Sequence, residues 1–70
     1  MGQTVIEYAA FGQIPGGDWV QIRPDKETRE EAELDIEVIR YWYKEIYEQY
    51  VCFKVMQRKV TTIVESWVEA

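Results

Sequence analysis

Thr28-Arg29-Glu30-Glu31-Ala32-Glu33-Leu34-Asp35-Ile36-Glu37-Val38-Ile39-Arg40-Tyr41-Trp42-Tyr43-Lys44-Glu45-Ile46-Tyr47-Glu48 decides how this chain is read. Thr28 with Glu31 three residues on is a capping box, and early acids suit the positive end of a helix dipole. Asp25 is a rival cap. The run therefore predicts one helix from Thr28 to about Glu48. At 3.6 residues per turn, Ala32, Ile36, Ile39, Tyr43, Ile46 and Tyr47 fall in one sector, the expected core face. Leu34, Val38, Tyr41 and Trp42 fall in a second, separate sector. Glu30, Glu33, Glu37, Arg40, Lys44 and Glu48 fill the rest, with Lys44 and Glu48 spaced as an i,i+4 pair.

The flanking segments read as strands. From Thr4 to Phe11 the residues alternate: Thr4, Ile6, Tyr8 and Ala10 share one face, and Val5, Ala9, Phe11 and Glu7 the other. Pro15-Gly16-Gly17-Asp18 is the strongest turn signal. Trp19 to Arg23 follows, with Val20 and Ile22 on one side, and should stop at Pro24, which has no amide to give a ladder. These two runs predict an antiparallel hairpin.

After the helix, Val51, Phe53 and Val55 alternate with Cys52, Lys54 and Met56, and then the apolar parity flips at Val60, Val64 and Val68. A tight turn or bulge near Gln57-Arg58-Lys59 would flip it. So would one long strand that changes environment half way. A short terminal helix is a third reading, because Val60, Ile63, Val64, Trp67 and Val68 also fit helical spacing. The β-branched run from Val60 to Val64 favours strand. The expected fold is α+β in the order β-β-α-β, with a fourth strand: a small antiparallel sheet with one long helix packed on one face.

The 70 residues, 1–70, make one small domain. A chain of this size buries only about 60% of its unfolded surface. A single cysteine and no histidine rule out an internal disulfide framework and a zinc site of the usual kind, and no cofactor is expected. Association is the staple left open. The start Met1-Gly2-Gln3-Thr4-Val5-Ile6-Glu7 has no basic and apolar leader pattern, and no apolar run approaches a membrane span. The lone thiol fits a reducing interior, so the expected location is the cytoplasm.

Catalysis is not expected. Carboxylate pairs such as Glu33 and Glu37 need a pocket that moves their pKa values apart, and an exposed helix face offers none. Cys52 has no histidine, and Pro15-Gly16-Gly17 lacks the Lys-Ser/Thr of a phosphate loop.

Two readings of Leu34, Val38, Tyr41 and Trp42 stand side by side. They form an interface, with another protein or with a second copy, anchored by Trp and Tyr. Or a loop or the C-terminal segment, Trp67 and Val68 first, folds over them. Nine of the thirteen acids lie between Asp25 and Glu48, against four bases. Glu30, Glu37 and Glu45 could thus steer a partner with a basic surface, or simply face solvent. Lys54, Arg58 and Lys59, near Tyr50 and Phe53, are the alternative: a nucleic-acid face in which bases stack on rings beside cations. With a net charge of -5, nucleic acid is the lesser expectation.

The run Thr28-Arg29-Glu30-Glu31-Ala32-Glu33, through Tyr50-Val51-Cys52-Phe53-Lys54-Val55-Met56-Gln57-Arg58-Lys59-Val60-Thr61-Thr62, resembles a pattern in small bacteriophage and prophage accessory proteins. In these a capped helix leads into an extended segment ending in basic and Thr/Val residues. Size and acidity are also similar to phage-encoded inhibitors of host defence, including anti-CRISPR proteins. That class shares no motif, so no functional residue carries over. The resemblance implies a non-enzymatic inhibitor acting by occlusion in the host cytoplasm, or a structural virion component.

Overall fold

A computed structural model describes residues 3–70; the Met1-Gly2 part of the leader reading lies outside the described residues. The order is β1 (Val5–Gln13), β2 (Trp19–Gln21), α1 (Arg29–Trp42), β3 (Cys52–Val60) and β4 (Val68–Glu69). The strands form one antiparallel sheet in the order β2-β1-β3-β4. The expected α+β fold is the one observed, with the fourth strand present.

β1 and β3 are its spine. They pair without interruption from Val5↔Val60 to Gln13↔Cys52. The alternation expected in the first strand sets the faces. Tyr8 and Ala10 turn towards α1, where Ala10, Ala32, Ile36 and Val55 form a buried cluster edged by Tyr8, Ile22, Phe53 and Ala70. Ala9 and Phe11 point the other way and are buried as well. Trp67 covers that back face, meeting Phe11 edge-on at 5.2 Å. The sheet is thus dry on both sides at its centre, by a helix on one and by one aromatic ring with long side chains on the other.

The first turn closes as its sequence demands. The Gly17 amide donates to the Ile14 carbonyl at 2.9 Å, with Pro15 second and Gly16 third at φ 66°. That is the Pro-Gly arrangement of a type II turn. β1 runs on to Gln13, and β2 stops at Gln21, short of the expected Arg23. The chain then returns to β1, where Tyr8 and Lys26 exchange backbone hydrogen bonds of 2.9 and 2.6 Å.

Thr28 is the helix cap: its hydroxyl oxygen accepts from the Glu31 amide at 3.2 Å. The Glu31 carboxylate accepts a hydrogen bond from the Thr28 hydroxyl at 3.0 Å instead of reaching the Thr28 amide. Asp25, the rival cap, is drawn away by Gln21 and Arg58.

The helix ends at Trp42, not near Glu48, so the core face is shorter than its periodicity implies. Ala32, Ile36 and Ile39 are buried, but Tyr43 is 45% exposed and Ile46 65%. The reason lies downstream. The Val51 amide must reach the Gln13 carbonyl, 2.9 Å away, to start β3. A helix running to Glu48 would leave too little chain to come down to the sheet. Tyr43 therefore donates to Ile39 as the C-cap, and the chain descends through turns closed by Ile46→Tyr43 and Tyr50→Tyr47 bonds. Lys44 and Glu48 are no longer on one helix face, and no ion pair joins them among the described residues.

Tyr50 lands on Gly12, the one strand position with no side chain in its way; a Cβ there would stand 2.7 Å from the ring. Tyr47, Tyr50 and Phe53 continue as a row of rings at 6.1 and 6.3 Å, next to the fully buried Ile39. At the other end, β3 passes through Gln57-Arg58-Lys59 unbroken to Val60, so the parity flip lies within one long strand whose apolar side chains use first one face and then the other. Val60 bridges Val64, and the chain returns as β4. The fourth strand is present and the terminal-helix reading fails, but beyond Val60 the β-branched run to Val64 forms the turn between β3 and β4 and is not itself the strand.

Gly12→Ala should drive the new methyl into Tyr50 and cost about 1–3 kcal/mol, the usual range for overpacking. Urea denaturation should show a lower midpoint at an unchanged slope.

Candidate interaction surface

Helix α1 shows its second apolar stripe to solvent. Leu34 is 57% exposed, Tyr41 82% and Trp42 80%, with Val38 half-buried between them. The stripe points away from the sheet because Ala32, Ile36 and Ile39 already take up the helix face that β1 and β3 can cover. The two residues expected as covers lie elsewhere: Trp67 packs on the back of the sheet, and Val68 is exposed on edge strand β4. Beyond the helix, Tyr43 and Ile46 extend the exposed apolar surface around the tip of the molecule. Their helical spacing predicts core positions, and the early helix end puts them here instead. Contiguous exposed apolar surface of this kind is uncommon on a monomer.

The acids border this surface. Glu30 and Glu37 are exposed on α1, and Glu45 is exposed in the turns after it, not on the helix as its spacing implied. None of the three makes an ion pair among the described residues, whereas Arg29 binds Glu33 at 2.9 Å and Asp35 lies 3.7 Å from Arg23 and 3.6 Å from Lys26. The helix N-terminal dipole favours acids in its first turn, which accounts for Glu30 and Glu31 but not for Glu37 or Glu45.

The basic residues are arranged otherwise. The strand pleat puts Lys54 and Arg58 on the back face and Lys59 on the opposite one. Arg58 contacts Glu7 at 2.9 Å and Asp25 at 2.8 Å, and its guanidinium stacks 4.3 Å from the Trp67 ring centre. Lys54 lies 4.1 Å from the Trp19 ring centre and 3.8 Å from Glu69. Both cations are engaged by their own chain's acids and rings, so they clamp the back layer together and leave little charge for phosphates.

The best-defined concavity, about 250 Å³, lies under the helix end among Ile39, Tyr47, Tyr50 and Phe53. Arg40, Lys44 and Glu48 also line it, so it selects neither sign of ligand. Cys52 is exposed, and among the described residues no three acids or cysteines gather as metal ligands. No described helix is long and apolar enough to cross a membrane. Comparison of the chain with protein-family models, curated proteins and solved structures finds no match.

Two substitutions separate the faces. Trp42→Glu should change folding stability by no more than about 0.5 kcal/mol, as expected of an exposed site, while Ile39→Ala should cost about 2–5 kcal/mol. Thermal unfolding of the two variants beside the wild type reads this directly. Arg58→Ala, which strips two ion pairs and a ring contact from the back layer, should cost about 1.5–3 kcal/mol, the range for hydrogen bonds to charged groups. The wild type should give no DNA or RNA gel shift even at low salt.

Proposed function

We propose that this chain is a non-enzymatic protein-interaction module, a phage-encoded inhibitor of a host defence protein that works in the host cytoplasm by occluding its target. The observation that carries the reading is the uncovered stripe of Leu34, Val38, Tyr41 and Trp42. It is rimmed by unpaired acids and mounted on a helix that the sheet holds from behind. Trp and Tyr are the side chains that most often anchor protein contacts. Glu30, Glu37 and Glu45 add a negative field that speeds encounter with a basic surface and disfavours wrong partners.

The same acids weigh against a second copy as the occupant. A twofold contact centred on Val38 sets Glu37 near its own mate, and like charges so placed repel. The nucleic-acid alternative loses its support in the internal pairing of Lys54 and Arg58.

Light scattering should give the mass of one chain for both the wild type and Trp42→Glu. Tagged wild type expressed in a bacterial host should return one stoichiometric protein whose activity falls when the pure chain is added, and Trp42→Glu should do neither. A wild-type dimer split by Trp42→Glu would make the stripe a self-contact and move any inhibitor role to the acidic faces. A monomer that yields no such partner would defeat the proposal.

A further inference from the structure

The spacing and width of the stripe say what shape of partner it fits. Leu34, Val38 and Tyr41 follow one another by four and then three residues, the a/d step of a helix seam. At 100° per residue they occupy a sector about 60° wide, and Trp42 widens it on one side only. Charge flanks the row: Glu30 and Glu37 on one side and Glu31 on the other, while Asp35 is turned towards Arg23 and Lys26. A cleft that wrapped around α1 would have to bury Glu30 and Glu37, which have no ion-pair partner among the described residues, and burying unpaired carboxylates is costly. One helix laid along the seam buries the apolar row and leaves the acids at the rim, where they meet cations in water.

We infer that the occupant of this surface is a single basic amphipathic helix of a partner protein. It would pack alongside α1 with its apolar row on Leu34, Val38, Tyr41 and Trp42, and its Lys or Arg residues opposite Glu30 and Glu37. This rests on the interaction reading above and names the partner element. Two features of the chain support it. Glu30 and Glu37 lie seven residues apart, on the same side of the seam and next to its apolar row. In a heptad seam, those flanking positions are the ones whose charges choose the partner helix. Neither has an ion-pair partner in its own chain among the described residues, although Arg29 and Arg40 stand on the same helix. The stripe is also preorganised. The Thr28 cap and the Tyr43 cap fix both helix ends, and the buried Ile36 and Ile39 hold α1 to the sheet, so docking orders only the incoming helix.

The probe is a synthetic three-heptad peptide with Leu at a and d, Lys at e and g, and Ala and Gln elsewhere. Its like charges keep it from pairing with itself. Two controls accompany it: the same composition shuffled to break the stripe, and the patterned peptide with Glu in place of Lys. Titration calorimetry with the full chain should show one-to-one binding of the patterned Lys peptide, with a gain of helix by circular dichroism. The double substitution Glu30→Lys and Glu37→Lys should weaken it about tenfold or more, and Trp42→Glu should remove it. Equal binding of the shuffled peptide would show that any polycation suffices and would overturn the helix inference, as would failure of the patterned peptide to bind. If either result came with a host partner still captured in a Trp42-dependent way, the interaction surface would survive and only its helical occupant would fall. If both the peptide and the host partner were lost, the two would fall together.

Discussion

The nine-pair ladder between β1 and β3 is the constraint on which the molecule rests. These strands are separated in sequence by the second strand, the helix and the turns after it, so their pairing closes the chain around everything else. It also fixes how much surface the helix is offered. β2 has three residues and β4 has two, so only β1 and β3 reach under α1. Two strands cover one stripe of a helix. Ala32, Ile36 and Ile39 take that cover, and any further apolar row on α1 has no place in the fold. The exposure of Leu34, Tyr41 and Trp42 is therefore a consequence of sheet width and not of loose packing.

The ladder also explains which parts of the structure could be read from the chain. The cap at Thr28, the Pro15-Gly16 turn and the alternation of β1 are local signals, settled within a few residues by backbone geometry, and all three were legible. The helix end was not. Tyr43, Ile46 and Tyr47 continue the helical period, so periodicity alone carries the element past Trp42. What stops it is the distance the chain must cover to bring Val51 to Gln13, together with a glycine at position 12 that receives Tyr50. Both depend on a pairing of residues some forty positions apart. A clue was present in Gly12, since an isolated glycine in a strand pattern marks close approach by another group.

Of the two explanations of the parity flip between Val55 and Val60, one long strand that changes environment is the one observed, and a turn or bulge near Gln57-Arg58-Lys59 is not. Val55 faces the helix, while Met56 lies on the back face, opposite Ala9 in the ladder. That back layer also divides the basic cluster. Lys54, Arg58 and Lys59 are close in sequence, yet the pleat divides them, and the acids that engage Arg58 come from β1 and from the loop before the helix. Of the surface residues singled out from the sequence, Leu34, Val38, Tyr41, Trp42, Glu30 and Glu37 are brought together on α1. Glu45 ends on the turn beyond it, beside the newly exposed Ile46.

This internal pairing sorts the charges. Lys54 and Arg58 on β3 are engaged by Glu7, Asp25 and Glu69, and Asp35 faces Arg23 and Lys26 at the helix flank. On the outer face of α1, Glu30 and Glu37 have no ion-pair partner among the described residues. On the proposed reading, folding and recognition are carried by opposite sides of one helix. The inner side is packed, apolar and sensitive to the loss of a methyl group. The outer side contributes little to stability, yet it is held rigidly by the inner one. Conformational freedom that a flexible binding segment would lose on docking has here already been lost in folding, so an aromatic contact on this face keeps more of its gross energy as affinity. In a domain of seventy residues with little stability to spare, that division lets the contact surface vary without unfolding the scaffold that presents it.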